Sequence, residues 1–287
     1  MHTARFLHTN GLRLHLLDYG GDGPPLLLLH GLTANAHAFD GLLAAGLGTR
    51  FRVLAPDLRG RGASDDDDSY TLADHAADVL ALLDALRLAR VALVGHSFGG
   101  LLAYYLAATH PQRVRCIVAL DAAIAAADPR VRDQLQPALA RLGQRYPSFE
   151  AYLATLRAAP YWGGWWDPLL ESYYRADVRR QADGSVEPRP RPAAIAAVIE
   201  DVLAQDWSAI VRAVRQPVLL INAPGPYGPP GAPPLLSEAD AHATVALLAD
   251  GRYLRVPGNH MTMLYGPGAR AIVKAIMGFL ALDGAAS

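Results

Sequence analysis

The residues best suited to catalysis lie around Ser97, in the stretch VALVGHSFGG at residues 91–100. Gly95 and Gly99 stand two positions before and after the serine, which is the G-x-S-x-G pattern of a sharp turn between a strand and a helix. Such a turn strains the serine backbone, and a Cβ at either glycine would clash with the adjoining strand or helix. Because the turn exposes the hydroxyl above the sheet, the pattern predicts that Ser97 is a nucleophile.

A general base for this serine is predicted at His260. It lies in VPGNHMTML (256–264), directly after the last apolar run, and it follows Ser97 in the chain order expected of such a site. A histidine in an exposed loop is often only a surface residue, but the strand-then-loop context favours catalysis. The nine other histidines show no metal-ligand spacing, so the sequence predicts no metal site.

Two backbone N–H groups are predicted to bind the oxyanion of an acyl-transfer reaction. Leu32 directly follows the pair His30-Gly31, where an apolar run ends, and Phe98 directly follows the nucleophile. Donors in these two loops can point at the negative charge that develops on a carbonyl oxygen. The sequence therefore predicts an oxyanion hole formed by Leu32 and Phe98.

Short apolar runs bounded by Pro or Gly must carry these residues as buried strands. The runs lie at 24–31, 51–58, 91–97, 114–121, 217–222 and 253–258. Helical periodicity covers 71–88, 98–110 and 269–280. Asn10-Gly11, between the apolar runs 6–10 and 12–20, is a hairpin signal. Alternating strands and helices predict an α/β fold with a mostly parallel, doubly wound sheet.

Residues 122–216 differ from the rest of the chain because they contain no clear strand. They hold helix-like pieces, separated by the aromatic stretch YWGGWWDP (161–168) and the polar stretch QADGSVEPRPRP (181–192). We predict a helical cap over the carboxyl ends of the strands, with 1–121 and 217–287 as the core. The alternative is ordinary helical packing on the side of the sheet; the density of aromatic residues favours the cap.

Composition excludes several classes of protein. The chain has 287 residues, 52% of them hydrophobic and 18% charged, which suits one globular α/β domain with an insertion rather than a disordered chain. A net charge of −1 indicates neither nucleic acid nor an anionic membrane as a partner. The single cysteine, Cys116, lies in an apolar run and is predicted to be a buried thiol. With no signal-peptide pattern and no apolar stretch of membrane-spanning length, a cytoplasmic protein is expected.

The order of these motifs resembles the α/β-hydrolase superfamily along nearly the whole chain. HGLT (30–33), APDLRGRGASD (55–65), GHSFGG (95–100) and GNH (258–260) stand in the family's order. The resemblance implies an eight-stranded sheet, a cap after the sixth strand, a Ser–His–acid triad and no cofactor. PGNHMTM near the end is also similar to thioesterases and small-molecule esterases. An abundance of Ala, with Arg in place of nearly all Lys, resembles the proteins of high-GC bacteria.

The chain departs from the family at the third member of the triad. In most members an Asp follows the seventh strand, but the matching stretch here, PVLLINAPGPYGPP (217–230), has no acid. Haloalkane dehalogenases and zearalenone-type lactonases instead place the acid at the end of the sixth strand, where this chain has Asp121. Resemblance therefore implies Asp121 as the triad acid. Glu238, Asp240 and, more remotely, Asp206 are the alternatives.

The same residues narrow the reaction. Dehalogenases and epoxide hydrolases of this fold use an Asp nucleophile, whereas this chain has Ser97, and carbon–carbon bond hydrolases normally keep the acid after the seventh strand. Acyl chemistry through a serine ester remains. The predicted function is hydrolysis of a carboxylic ester or lactone. An acyltransferase or thioesterase with the same triad is the alternative, and a non-catalytic binding protein is a weaker one.

The predicted ligand is a small apolar or aromatic molecule, since aromatic and methionine side chains are available to line a pocket. The predicted substrate-binding residues are Phe39, Trp162, Trp165, Trp166, Tyr227 and Met261, with Tyr161 and Met263 as further candidates. Any of them could instead serve only core packing. No nucleic-acid or membrane partner is expected, and a homodimer is left open.

Overall fold

The computed structural model describes residues 2–229 and 231–284. Its strands are β1 (Thr3–Thr9), β2 (Leu12–Asp18), β3 (Pro25–Leu29), β4 (Arg52–Pro56), β5 (Val91–His96), β6 (Val114–Leu120), β7 (Val178–Arg180), β8 (Val186–Pro188), β9 (Val218–Asn222) and β10 (Gly251–Arg255). Its α-helices are α1 (Asp40–Ala44), α2 (Leu72–Ala85), α3 (Phe98–Thr109), α4 (Pro129–Leu139), α5 (Phe149–Arg157), α6 (Leu170–Ala176), α7 (Pro192–Ala204), α8 (Trp207–Ala213), α9 (Glu238–Val245) and α10 (Gly266–Gly284). Among the described residues, no helix combines the length and apolarity needed to cross a membrane.

Eight of the strands form one sheet in the order β1-β2-β4-β3-β5-β6-β9-β10. β2 runs antiparallel to both of its neighbours, and the other pairs are parallel. Central strands such as β5 are buried along their whole length, as expected when helices cover both faces. The sheet and its helical connections confirm the predicted α/β-hydrolase fold class.

Asn10 and Gly11 form the two-residue turn between β1 and β2, as the sequence predicts. Their φ angles are 51° and 77°, the left-handed values that a tight hairpin turn requires at both central positions. Asn tolerates this region better than other residues with a side chain, and Gly adopts it without a steric penalty.

The segment predicted to be an inserted cap, residues 122–216, lies between β6 and β9; it contains α4 to α8 and also a short hairpin that the sequence did not predict. β7 and β8 pair antiparallel around the connection 181–185, in which Gly184 has a φ of 84°. The expectation of no strand in this segment was therefore wrong. Its polar stretch contains the turn dipeptide Asp183-Gly184, and strands of three residues are too short to show an alternating pattern. The last helix of the segment, α8, packs on α3 of the core.

Candidate active site

Ser97 occupies the sharp turn between β5 and α3. Its backbone has φ 53° and ψ −119°, a conformation rarely adopted by a residue with a side chain. The flanking glycines are required by close backbone approach: a Cβ on Gly95 would lie 2.2 Å from the Gly99 carbonyl oxygen, and one on Gly99 would lie 1.9 Å from the Leu29 carbonyl oxygen. The turn therefore holds the serine at the carboxyl end of β5, at the start of a helix.

Phe98, the second half of the proposed oxyanion hole, is the first residue of α3. The first N–H groups of a helix have no partner within it, and the helix dipole makes this end electropositive. Phe98 and Leu32 line the same cavity as Ser97. The N–H groups of both residues are thus placed on elements that meet beside the nucleophile.

The loop that carries Leu32 is held by His30. The Leu58 N–H donates to His30 Nε2 at 2.9 Å, so Nδ1 carries the ring proton and donates to the Gly31 carbonyl oxygen at 2.8 Å. Burial lowers the pKa of His30 to about 4, which keeps the ring neutral near pH 7. Because the Gly31 carbonyl belongs to the same peptide group as the Leu32 N–H, His30 orients the proposed oxyanion donor.

His260 and Asp121 are in direct contact. His260 Nδ1 lies 2.8 Å from Asp121 Oδ2, and the two side chains are only 5% and 1% exposed. Residue 121 follows β6 directly, and residue 260 lies in the loop after β10. A carboxylate at this distance selects the imidazole tautomer with its proton on Nδ1, which leaves the lone pair of Nε2 available to a serine hydroxyl.

The second oxygen of Asp121 is bound by the end of β9. Asn222 Nδ2 donates to Oδ1 at 2.7 Å and the Ala223 N–H donates at 3.1 Å. Asp121 has a φ of 47°, in the left-handed region that Asp and Asn tolerate better than most residues. Two donors on one oxygen fix the orientation of the carboxyl group and direct its other oxygen toward His260.

The alternative acids have structural roles elsewhere. Asp240 forms a reciprocal capping box with Ser237 at the start of α9, and Asp206 caps α8 by accepting from the Ala209 N–H. Glu238 forms an ion pair with Arg255 at 3.1 Å, with both side chains well exposed.

The loop without an acid packs against the histidine loop through its backbone. A Cβ on Gly225 would lie 2.4 Å from the Gly258 carbonyl oxygen, so the backbones of the two loops are in contact at this point. Asn259 joins them further, since its amide donates to the carbonyl oxygens of Pro226 and Tyr161, each at 2.8 Å. The loop therefore supports the histidine with carbonyl groups.

His96 holds the backbone of His260. Its Nε2 donates to the His260 carbonyl oxygen at 2.9 Å, and the two ring centroids are 4.7 Å apart. Burial lowers the pKa of His96 to about 3, so the ring stays neutral at ordinary pH. A neutral neighbour does not repel the positive charge that His260 would acquire during catalysis.

Two cavities meet at Ser97, Leu32 and His260, which line both. The aliphatic cavity encloses about 590 Å³, counting space open to solvent, and its walls include Leu101, Leu135, Ile199, Val202, Leu203 and Leu236. The tyrosine cavity encloses about 720 Å³ on the same count, and its walls include Tyr161, Tyr173, Tyr174, Tyr227, Tyr265 and Arg141. Side chains of α4 and α7 in the inserted segment therefore form part of the walls above the strand ends.

The cavities include only some of the predicted pocket residues. Tyr227 and Met261 line the tyrosine cavity, as does Tyr161. Trp162 and Trp165 instead line a third cavity, whose walls contain neither Ser97 nor His260. Trp166 stacks on Tyr174 at 5.9 Å, and Phe39 and Met263 are fully buried in the core. Large rings reduce their exposure by packing on one another, which is why the aromatic stretch lies mainly behind the cavity wall.

Sequence reasoning missed the residues that support the three proposed catalytic side chains. Asn222, Asn259, His30 and His96 act through hydrogen bonds to backbone or carboxylate groups. One available signal was position, because three of the four residues directly end or follow a buried strand. The structure shows no cluster of three or more His, Cys, Asp or Glu residues that could hold a metal ion within the described part of the chain.

Replacing Asn222 with leucine is expected to lower kcat roughly 10-fold or more while the protein stays folded. The change removes a charge-assisted hydrogen bond to Asp121, and such bonds contribute about 1.5–3 kcal/mol. Tyr253→Phe is the matched control, because Tyr253 contacts the other side of Asn222 at 3.3 Å without touching Asp121. An unchanged kcat in folded Asn222→Leu protein, or an equal loss of kcat in Tyr253→Phe, would contradict the positioning role.

Residues 24–223 match the sequence profile of a family described as alpha/beta hydrolase fold. The chain belongs to the alpha/beta hydrolase family. A 2-(acetamidomethylene)succinate hydrolase of Mesorhizobium japonicum is 30% identical over 275 residues, covering 91% of this chain and 89% of that protein.

Solved structures of alpha/beta hydrolases agree with this assignment. An E-2-(acetamidomethylene)succinate hydrolase superposes with a TM-score of 0.81 at 26% identity, covering 98% of this chain and all of that one. The enol-lactonase from Burkholderia xenovorans superposes with a TM-score of 0.71 at 23% identity, covering 96% of this chain and 100% of the other, a likeness of fold alone. Family membership and the Mesorhizobium relative support hydrolase activity.

Proposed function

We propose that this protein is a serine hydrolase that cleaves a carboxylic ester or lactone of a small apolar or aromatic substrate through an acyl-enzyme. The observation that carries the proposal is the 2.8 Å contact between His260 Nδ1 and Asp121 Oδ2, beside the cavities that Ser97 also lines. A serine in a strained turn, an imidazole and a buried carboxyl group are the groups that activate a hydroxyl for attack.

The first half of the proposed reaction acylates the serine. His260 Nε2 takes the hydroxyl proton of Ser97 while its Oγ attacks the substrate carbonyl carbon. The N–H groups of Leu32 and Phe98 bind the oxyanion that develops, and Asp121 stabilises the imidazolium. When the tetrahedral intermediate collapses, the bond to the leaving alcohol breaks and Nε2 returns the proton to that oxygen.

The second half regenerates the serine. A water molecule gives a proton to His260 Nε2 and attacks the acyl carbon, and the Ser97 oxygen then leaves and recovers that proton. The products are a carboxylic acid and an alcohol, joined in one molecule when the substrate is a lactone. No redox partner is consumed, because the reaction only adds water across the acyl–oxygen bond.

A second candidate reaction is the hydrolysis of an acetamide carried on a succinate. It is favoured by the name of the Mesorhizobium relative and by the 30% identity that extends over 91% of this chain. Cleaving an amide would use the same serine, histidine and acid, so the substrate rather than the catalytic residues separates the two proposals.

Labelling with a fluorophosphonate followed by a substrate panel tests the proposed function. The expected results are one adduct on the Ser97 peptide of native protein, none on heat-denatured protein, and turnover of p-nitrophenyl esters or lactones. Absence of the adduct would contradict the serine hydrolase proposal. Faster turnover of 2-(acetamidomethylene)succinate than of any ester would favour the second candidate. Preference for thioesters would indicate a thioesterase, and turnover only with an added alcohol or amine would indicate a transferase.

A further inference from the structure

The walls of the two cavities differ in chemistry. Apart from Ser97, Asp121 and His260, the aliphatic cavity is lined by the side chains of leucine, isoleucine, valine and phenylalanine. The tyrosine cavity also has leucine and methionine side chains, and it adds five tyrosine rings, a few small residues and one guanidinium, that of Arg141. An ester bound at Ser97 therefore has an aliphatic wall on one side and an aromatic wall on the other.

Arg141 is the only Arg or Lys among the described residues that line either cavity, and its donors are already used. Its Nε donates to the hydroxyl of Tyr152 and to Asp177 Oδ2, at 3.1 and 3.2 Å. One terminal nitrogen donates to the Ala138 carbonyl at 2.6 Å, and the other donates to Thr33 O and Asp177 Oδ1 at 3.0 and 3.3 Å.

The charge of Arg141 is balanced within the protein. Asp177 is 1% exposed and lies beside the guanidinium, so the pair is neutral as a unit. Burial by itself would lower the pKa of Arg141, but the Asp177 carboxylate and the nearby Tyr152, Tyr173 and Tyr174 together outweigh this effect and raise it. The other charged wall residue, Asp121, is a carboxylate and would repel an anionic ligand. A substrate carboxylate entering these cavities would therefore find no unpaired Arg or Lys side chain among the described wall residues.

We infer that the substrate of this site is an uncharged ester with an aliphatic segment that lies in the aliphatic cavity. This inference rests on the proposed function and specifies its substrate class. The aliphatic segment belongs either to the acyl part or to the alcohol part of the ester. In either case its methylene groups contact the side chains that line the aliphatic cavity. Burial of each methylene contributes to binding, whereas a terminal carboxylate opposes it.

Neutral esters and their carboxylate counterparts test the charge requirement. Rates of hydrolysis are measured by pH-stat near neutral pH, where the terminal carboxyl groups are ionised. Ethyl hexanoate is compared with monoethyl adipate, and hexyl acetate with 6-acetoxyhexanoate. Each pair has the same chain length and differs at its end. In the pair whose neutral ester is hydrolysed faster, we expect kcat/KM to be at least about 100-fold higher for the neutral ester than for its carboxylate counterpart. Equal turnover of the neutral and anionic members would overturn the inference.

Filling the aliphatic cavity with a larger side chain tests whether the hydrocarbon chain of the ester binds there. Leu203 on α7 lines this cavity and is partly exposed, so Leu203→Trp adds volume without overpacking the core. We expect kcat/KM for one long-chain ester to fall at least about 10-fold relative to kcat/KM for ethyl acetate measured on the same variant. A loss confined to ethyl hexanoate places the acyl chain in the cavity, and a loss confined to hexyl acetate places the alcohol chain there. Ala197→Trp, at an exposed position of the same helix, is the matched control and should leave kcat/KM unchanged for all three esters.

Two outcomes separate this inference from the proposed function. If Leu203→Trp reduces all three esters equally, or none of them, the aliphatic cavity does not bind the chain and the inference is wrong. If Ser97 still reacts with the fluorophosphonate and ethyl acetate is still hydrolysed, the proposed function stands in either case. If wild-type protein shows neither labelling nor ester hydrolysis, both are wrong.

Discussion

Replacing Ser97 with alanine is expected to lower kcat for ester hydrolysis by at least about 10⁴-fold and to leave the fold intact. Loss of the nucleophile in a serine–histidine–acid site removes most of the catalysis, and only the contribution of binding and the oxyanion hole remains. The fold should survive because alanine keeps the Cβ that the strained turn already accommodates at φ 53° and removes only the hydroxyl. Steady-state kinetics and the melting temperature measure the two effects.

Ser172→Ala is a suitable control for this experiment. Ser172 is exposed on α6, and its hydroxyl contacts Asp40 and the Leu169 carbonyl rather than either cavity. Its activity should equal that of the wild type. If purified, folded Ser97→Ala protein still hydrolyses the ester at a comparable rate, another residue is the nucleophile and the acyl-enzyme proposal is wrong.

Replacing Asp121 with asparagine is expected to lower kcat by at least roughly 10²-fold. Asparagine tolerates the left-handed backbone at φ 47°, so the turn after β6 should persist. Its amide oxygen would remain on the donors Asn222 Nδ2 and Ala223 N–H, which directs the amide NH₂ toward His260. An NH₂ group there stabilises the tautomer with its proton on Nε2, and that nitrogen can then no longer accept the serine proton. The equivalent change in a serine protease lowers kcat about 10⁴-fold.

Two further carboxylates control for this substitution. Glu238→Gln should be near wild type in activity, because Glu238 pairs with Arg255 on the surface. Asp240→Asn should lose some stability and little activity, because Asp240 caps α9. Full activity in Asp121→Asn, together with a large loss in either control, would show that the histidine takes its acid from α9.

Local sequence patterns were sufficient for the central strands, the first hairpin and the serine turn. Apolar runs between Gly or Pro predicted the central strands, Asn10-Gly11 predicted the hairpin, and the two glycines around Ser97 predicted a tight turn. Each of these features depends on preferred φ angles, side-chain volume or periodicity within about ten residues. Residue type determines the first two and residue spacing gives the third, so all three can be read from the sequence. The hairpin of β7 and β8 was missed because strands of three residues carry too little pattern.

Family resemblance indicated Asp121 as the acid, but the contacts around it depend on which strands are neighbours. Asp121 and Asn222 are separated by 101 residues, and they meet because β6 and β9 pair in parallel and end at the same edge of the sheet. His260 reaches the same edge after β10. Periodicity alone does not say which strand lies beside which, because every buried strand presents a similar apolar surface.

By itself, the sequence determined the class of the fold, the serine turn and the short list of acids. Only the tertiary structure decided which side chains face the cavities. Trp162, Trp165 and Trp166 were predicted to line the pocket, yet Trp162 is 2% exposed and packs on neighbouring rings, while tyrosines from α6 and the acid-free loop line the tyrosine cavity. An apolar or aromatic residue gains free energy from burial wherever that burial occurs. Whether it contacts the core or a ligand is therefore set by the packing of distant helices, which the residue's own surroundings in the chain do not specify.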